Sequence, residues 1–183
     1  MDKKETETLR RHLFGETDSS VYAVLDGAAI PDLIEMFEEC EPVRVCLLRE
    51  VENPELAETA PYLVQLEVDT PFAEWLLAES LGRPWGIFAI VPEGTPFIDL
   101  RKHFRDMVRV SLPEGDTALF RYYDPRVCNV FLPSCDQEQL QVFFGPVRRY
   151  VAENKAASED SSELIEYSFE KGELRKMSVA QAT

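Results

Sequence analysis

The chain has few of the residue types that carry metal and redox chemistry. Its 183 residues include two histidines, His12 and His103, and four cysteines. No two cysteines form a C-x-x-C pair, and a zinc site needs closely spaced Cys or His ligands. The sequence therefore predicts no metal site, and we expect no cofactor.

Cations are also scarce. Lysine and arginine number 19 against 34 aspartates and glutamates, which gives a formal net charge of −15. So few cations argue against non-specific nucleic-acid binding and against attraction to an anionic membrane surface. The chain has no signal-peptide pattern and no apolar run long enough to span a bilayer. We therefore expect a cytoplasmic protein with no nucleic-acid or membrane partner.

Motifs of nucleotide binding and of nucleophilic catalysis are missing as well. There is no G-x-G-x-x-G, no G-x-x-x-x-G-K-[ST] and no G-x-S-x-G. Acidic side chains are too numerous for any pair to stand out as an acid and a base. Asp26, at the end of the first apolar strand, is the best-placed carboxylate, because ligand sites in α/β sheets collect at strand C-termini. A turn-forming Asp26-Gly27 explains it equally well.

Regular patterning indicates one globular α/β domain. Hydrophobic residues make up 45% of the chain, and apolar strands alternate with amphipathic helices in its first half. The fold class that this predicts is a single domain with a mixed β-sheet flanked by helices. We divide the chain into a polar leader (1–18) with a mobile His12, an α/β core (19–153), and a C-terminal strand and polar tail (154–183) packed on or trailing the core.

The most informative stretch is Ala118–Leu132, ALFRYYDPRVCNVFL. Its aromatic residues up to Tyr123 predict a strand. Asp124-Pro125 then predicts a helix start, because Asp is a good N-cap and Pro suits the first helical position. Asp124 and Arg126 form either a ligand or catalytic pair, or a cap beside a first-turn arginine. Capping accounts for the Asp-Pro pair completely, so we favour the structural interpretation.

Other helix starts carry related signals. Thr70-Pro71 and Thr95-Pro96 repeat the cap-plus-proline pattern, and Asp136 with Gln139 is typical of a capping box. The helix predicted after Thr95-Pro96 carries the main basic cluster of the chain, Arg101, Lys102 and Arg105, beside His103. This cluster is either a docking surface for an acidic partner or an ordinary solvated helix face.

An ordered set of short motifs between Val21 and about Asn154 resembles one family. The motifs are YAVLDGA (22–28), APYLVQL (60–66), FAEWLL (72–77), GRPWGIF (82–88), LRKHFRDMVRVSLPEG (100–115), LFRYYDPRVCNVFLP (119–133) and FGPVRRY (144–150). Together they are similar to the small adaptor or chaperone domain of bacterial type VI secretion, a domain of unknown function encoded beside a spike protein and a toxic effector.

The resemblance implies a non-enzymatic role. Such proteins bind a cognate effector in the cytoplasm and help load it onto a VgrG-type spike protein, so effector and spike are the expected partners. The family supplies no catalytic residues, and we expect none here. As partner-binding residues we predict the basic helix face and the strand–helix corner: Arg101, Lys102, Arg105, Arg121 and Arg126.

Two alternatives remain. An immunity protein would neutralise a basic toxin by covering its active site with an acidic surface. A small-molecule binder or enzyme would use Asp26 and Asp124 as its polar groups, and this requires the two carboxylates to share a pocket.

Overall fold

Seven helices and nine strands make up the described chain. The computed structural model describes residues 3–48, 54–111, 114–155 and 162–179. The helices are α1 (Lys3–Phe14), α2 (Leu33–Cys40), α3 (Pro54–Thr59), α4 (Pro71–Ser80), α5 (Phe97–Met107), α6 (Pro125–Ser134) and α7 (Gln137–Phe144). The strands are β1 (Ser19–Asp26), β2 (Arg44–Cys46), β3 (Pro61–Leu66), β4 (Gly86–Pro92), β5 (Arg109–Ser111), β6 (Thr117–Leu119), β7 (Arg149–Lys155), β8 (Ser162–Glu170) and β9 (Glu173–Ser178).

Seven of the strands form one sheet in the order β2-β3-β1-β4-β7-β8-β9, and β5 and β6 form a separate hairpin. The single α/β domain with helices flanking the sheet is confirmed. Each strand pairing described in the sheet is antiparallel. The predicted mixed sheet would contain parallel pairs as well, and the described sheet has none. The reason is that β3 lies between β1 and β2, which run in the same direction without touching.

Both faces of the sheet are covered, which gives three layers. Along β1, Tyr22 and Val24 point into one core while Val21, Ala23 and Leu25 point into the other, as strand alternation requires. Helices α5, α6 and α7 cover the first face, and α1, α2 and α4 cover the second. Strand β4 is central in the sheet, and its apolar residues are buried.

Helix caps account for several boundaries. Asp124 accepts a hydrogen bond from the Arg126 backbone N–H at 2.9 Å, which confirms it as the N-cap of α6. At α7, Asp136 and Gln139 exchange the two bonds of a capping box, at 2.8 and 2.9 Å. The side chain of Thr70 caps α4.

Thr95 does not cap α5. That helix begins at Phe97 with Pro96 at the N-cap and no side-chain cap bond. The Thr95 hydroxyl instead donates to the Pro92 carbonyl at 2.7 Å. The Thr95 backbone N–H donates to the same carbonyl at 3.2 Å, so both groups of Thr95 stabilise the turn after β4.

The aromatic strand expected up to Tyr123 is shorter than predicted, since β6 ends at Leu119. Tyr122 and Tyr123 are consecutive and both buried, which a strand with one face in solvent does not allow. The Tyr122 hydroxyl donates to the Phe104 carbonyl at 3.0 Å. Burial of both rings thus overrides the β-propensity of the segment.

Both ends of the described chain pack on the domain. The leader forms α1, whose Leu9 and Leu13 are buried, so the mobile segment expected around His12 is instead an ordered helix. A turn at Lys171-Gly172 joins β8 to β9, and the residues expected as a polar tail form the edge strand β9.

Candidate functional site

Asp26 lies at the end of β1, buried at the corner that the sequence singled out. Its backbone N–H donates to the Trp85 carbonyl at 2.8 Å, and its side chain is only 2% exposed. One carboxylate oxygen accepts from the Ala28 N–H at 3.2 Å, and the other accepts from the Arg121 guanidinium. The structure therefore brings Asp26 and Arg121 together as an ion pair.

The neighbouring carboxylate, Asp124, is held by its own first-turn arginine. Arg126 Nε donates to Oδ1 at 3.0 Å, and Nη2 donates to Oδ2 at 2.6 Å. Burial alone would raise the pKa of Asp124, but the hydrogen bonds and charge of Arg126 outweigh it and hold that pKa below its usual value. Asp124 is thus an ionised structural cap rather than a general acid.

Tyr123 completes the corner. Burial raises the pKa of its phenol, and the Asp26 and Asp124 carboxylates raise it further. The hydroxyl is therefore neutral at pH 7. The adjacent depression of ≈ 500 Å³ is lined by Arg83, Arg126 and neighbouring residues but by neither carboxylate. Both carboxylates at this corner have hydrogen-bond partners, and they do not share a pocket.

The predicted basic face of α5 has two parts. Arg105 donates to the Cys46 and Leu48 carbonyls at 2.7 and 3.4 Å, which ties α5 to the segment after β2. The side chains of Arg101 and Lys102 make no hydrogen bond or ion pair with any residue that the structure describes. Of the five predicted binding residues, Arg101 and Lys102 therefore remain available to a partner.

The opposite side of α5 borders an apolar groove that the sequence did not predict. The groove measures ≈ 520 Å³ between α5, α6, α7 and the β5–β6 hairpin. Its apolar lining consists of Met107, Val110, Phe120, Phe131, Val142 and Phe143. These residues come from separate elements, so no single stretch of sequence signals the groove. Within single elements the groove shows only as exposed apolar residues, Val110 on β5 and Val142 on α7.

Polar groups border this groove unevenly. Asp106 and Glu138 place two carboxylates at its edge and Arg109 one guanidinium. Burial lowers the pKa of His103, which also lines the groove, so its imidazole is neutral at pH 7. The rim therefore carries a small excess of negative charge around an apolar floor.

A second polar cluster fastens α1 to the sheet. His12 Nε2 lies 2.8 Å from Glu166 Oε2 on β8, and Arg149 Nη1 lies 2.9 Å from the same oxygen. Arg149 also pairs with Glu16 at 2.8 Å. Burial alone would raise the pKa of Glu166, but His12 and Arg149 hold it below its usual value.

Within the described ranges, no group of three or more His, Cys, Asp or Glu side chains is placed to hold a metal ion. None of the helices described is both long enough and apolar enough to cross a membrane.

The fold and the site define an acidic, three-layer α/β domain with a satisfied polar corner and an open apolar groove. Residues 21–142 match the family described as a domain of unknown function (DUF4123), and the chain belongs to that family. No curated protein and no solved structure matches the chain.

Proposed function

We propose that this protein is a non-enzymatic adaptor or chaperone. It binds a cognate type VI secretion effector in the cytoplasm and helps load that effector onto a VgrG-type spike. The observation that carries the proposal is the open apolar groove beside α5. The motif resemblance supplies the identity of the partners.

The groove has the composition of a protein-binding surface. Protein interfaces combine an apolar centre, often aromatic, with a polar rim. Here Phe120, Phe131 and Phe143 line the groove, and charged residues border it. The side chain of Val142 is 71% exposed. Such a surface gains stability when a partner covers it.

An adaptor must contact two proteins, and α5 separates two different surfaces. Arg101 lies one turn before Arg105, on the side turned away from the groove. Lys102 lies one turn before Asp106 and so stands between the two sides. Asp106 and Met107 lie on the groove side. We propose that the effector occupies the groove and that Arg101 and Lys102 contribute to a second contact.

The enzymatic alternative is the weaker one. It depended on Asp26 and Asp124, and each carboxylate is engaged by an arginine and a backbone N–H. The geometry therefore favours a proton-transfer role for neither carboxylate. An immunity protein stays the second candidate, since the acidic surface would suit a basic toxin.

The test is affinity purification of the tagged protein from its native bacterium, with co-purifying proteins identified by mass spectrometry. We expect one large effector together with a spike protein. The Arg101→Glu/Lys102→Glu variant should lose one of these partners, whereas reversal of an exposed arginine elsewhere, Arg11→Glu, should lose neither. Recovery of neither partner by the folded wild-type protein would refute the adaptor function.

Co-expression separates the adaptor from the immunity protein. An immunity protein rescues cells that produce the effector's toxic domain, whereas an adaptor leaves them poisoned. Rescue would therefore favour the second candidate.

A further inference from the structure

We infer that the groove between α5, α6, α7 and the β5–β6 hairpin is a docking site for one amphipathic helix whose apolar face is flanked by lysines or arginines. The assignment of that helix to an effector rests on the proposed function. The chemistry of the occupant rests on the groove alone.

The openness of the groove favours a macromolecule. Its volume of ≈ 520 Å³ falls within the range of small-molecule pockets, about 300–1,000 Å³, so volume does not decide the occupant. Small-molecule pockets enclose most of their ligand. Here Val110 and Val142 are exposed, so part of the apolar surface faces outward and would stay wet around a small ligand.

The composition of the walls favours a helix over an extended segment. Met107, Phe131 and Val142, which line the groove, belong to three helices, and a helical backbone offers few free donors and acceptors to an extended peptide. An extended peptide lying on them would leave its own N–H and C=O groups unpaired against an apolar surface. A helix satisfies those groups internally and offers apolar residues at i, i+3, i+4 and i+7.

Charge complementarity determines which residues should flank the apolar face of the docked helix. The rim carries the carboxylates of Asp106 and Glu138 against the one guanidinium of Arg109. The whole chain has a formal net charge of −15. Basic residues beside the apolar face would therefore be attracted both at long range and at the rim. Acidic flanks would be repelled by the same groups.

The probes are three synthetic peptides of about 16 residues. The first has leucines at helical spacing with lysines elsewhere. The second has the same composition with the leucines scattered around the helix. The third keeps the leucine face but replaces lysine by glutamate. Binding to the full chain is measured by fluorescence anisotropy at about 0.15 M salt, where long-range attraction is screened.

We expect the first peptide to bind at least about tenfold more tightly than the other two. Val142→Lys should weaken that binding at least about tenfold, because it places a cation in the groove. The matched control is Val130→Lys on α6, which alters an equally exposed valine (74%) outside the groove. It should leave the affinity within about twofold. Circular dichroism verifies that both variants are folded.

Four results would overturn the inference. Equal binding of the scattered peptide, or equal loss in both lysine variants, would mean general attraction to an acidic surface. Tighter binding of a fourth peptide, in which leucine and lysine alternate as in a strand, would assign the groove to an extended segment instead of a helix. A concentration-dependent dimer abolished by Val142→Lys would assign the groove to a second copy of the chain.

The same variants separate this inference from the proposed function. If the native purification yields the effector with wild type and with Val142→Lys alike, the adaptor function stands and the groove is not its docking site. If wild type yields no effector, the adaptor function fails, and the peptide affinities alone decide whether the groove takes a basic amphipathic helix.

Discussion

The Arg121 guanidinium donates to the buried Asp26 carboxylate across 95 positions of sequence. This contact joins the end of β1 to the segment that leads into α6. Asp26 is almost completely buried, while the Arg121 side chain is 42% exposed. A buried charge is tolerated when it is paired and hydrogen-bonded. The pair therefore explains how a carboxylate is accommodated at the end of a core strand.

Arg121→Met should lower the free energy of unfolding by about 2–3 kcal/mol, because it leaves the Asp26 charge buried with one backbone N–H. Urea denaturation measures the change. In an Asp26→Asn background the same substitution should cost at least about 1 kcal/mol less. Equal costs in the two backgrounds would mean that the pair carries no coupling energy.

Arg126→Met is the matched comparison at the neighbouring carboxylate. Arg126 is 68% exposed, and Asp124 would keep its bond from the backbone N–H of residue 126. We expect a loss of about 1 kcal/mol or less. A loss as large as that of Arg121→Met would show that side-chain exposure does not determine how much each ion pair contributes to the free energy of unfolding.

Arg105→Met should destabilise the protein by about 1–2 kcal/mol, because the Cys46 and Leu48 carbonyls lose a charged donor. Lys102→Met, on the same helix, should change the free energy of unfolding by about 0.5 kcal/mol or less. Thermal unfolding of both variants tests the difference. If Lys102→Met is the more destabilising, the division of the basic face into an anchoring part and an outward part is wrong.

The pKa of Glu166 predicts a pH-dependent part of the stability. Because that pKa is lower in the folded than in the unfolded state, the unfolded chain binds more protons as the pH falls below the ordinary value of 4.5. The stabilisation by Glu166 is complete above pH 4.5 and is lost as the pH falls through the folded pKa. Glu166→Gln should be less stable at pH 7 by about 1–2 kcal/mol, and the difference from wild type should shrink in acid.

Glu163→Gln is the control for this profile, since Glu163 is an exposed glutamate on the same strand. Its denaturation midpoints should follow those of wild type from pH 7 to about pH 3. A constant difference between wild type and Glu166→Gln over that range would contradict the assignment.

Gly145→Ala should cost about 2–4 kcal/mol. Gly145 has a φ of +45°, and a Cβ there would lie 2.6 Å from Cε1 of the His103 ring. Gly94 has a φ of +77° with open space around it, so Gly94→Ala should show the backbone strain alone, about 1–2 kcal/mol. Chemical denaturation compares them, and equal costs would mean that His103 moves aside freely.

Features set by neighbouring residues could be predicted from the sequence. Asp124-Pro125 and the Asp136–Gln139 pair specify helix starts through bonds that span two or three residues. The α/β class followed from alternating elements in the same way. Strand β9 escaped prediction because Leu174 is the one apolar side chain of that strand that packs against a core.

Features that depend on distant contacts could not be predicted. Arg121 was proposed as a partner-binding residue, but its bond to Asp26 depends on the three-dimensional path of the chain. The groove likewise arises where Met107, Val110 and Val142 converge from separate elements. Only the relative placement of elements, which no local pattern encodes, brings those residues together.

The pairing of His12 with Glu166 has a consequence for biosynthesis. The two residues are 154 positions apart, so on the ribosome α1 emerges well before the strand that supplies its buried carboxylate. At about 5–20 residues per second the delay is on the order of ten seconds. Until β8 is made, His12 of α1 has no Glu166 carboxylate to pair with. During that interval α1 can dock through Leu9 and Leu13 in the core and through Arg10, which pairs with Asp69 and Glu74.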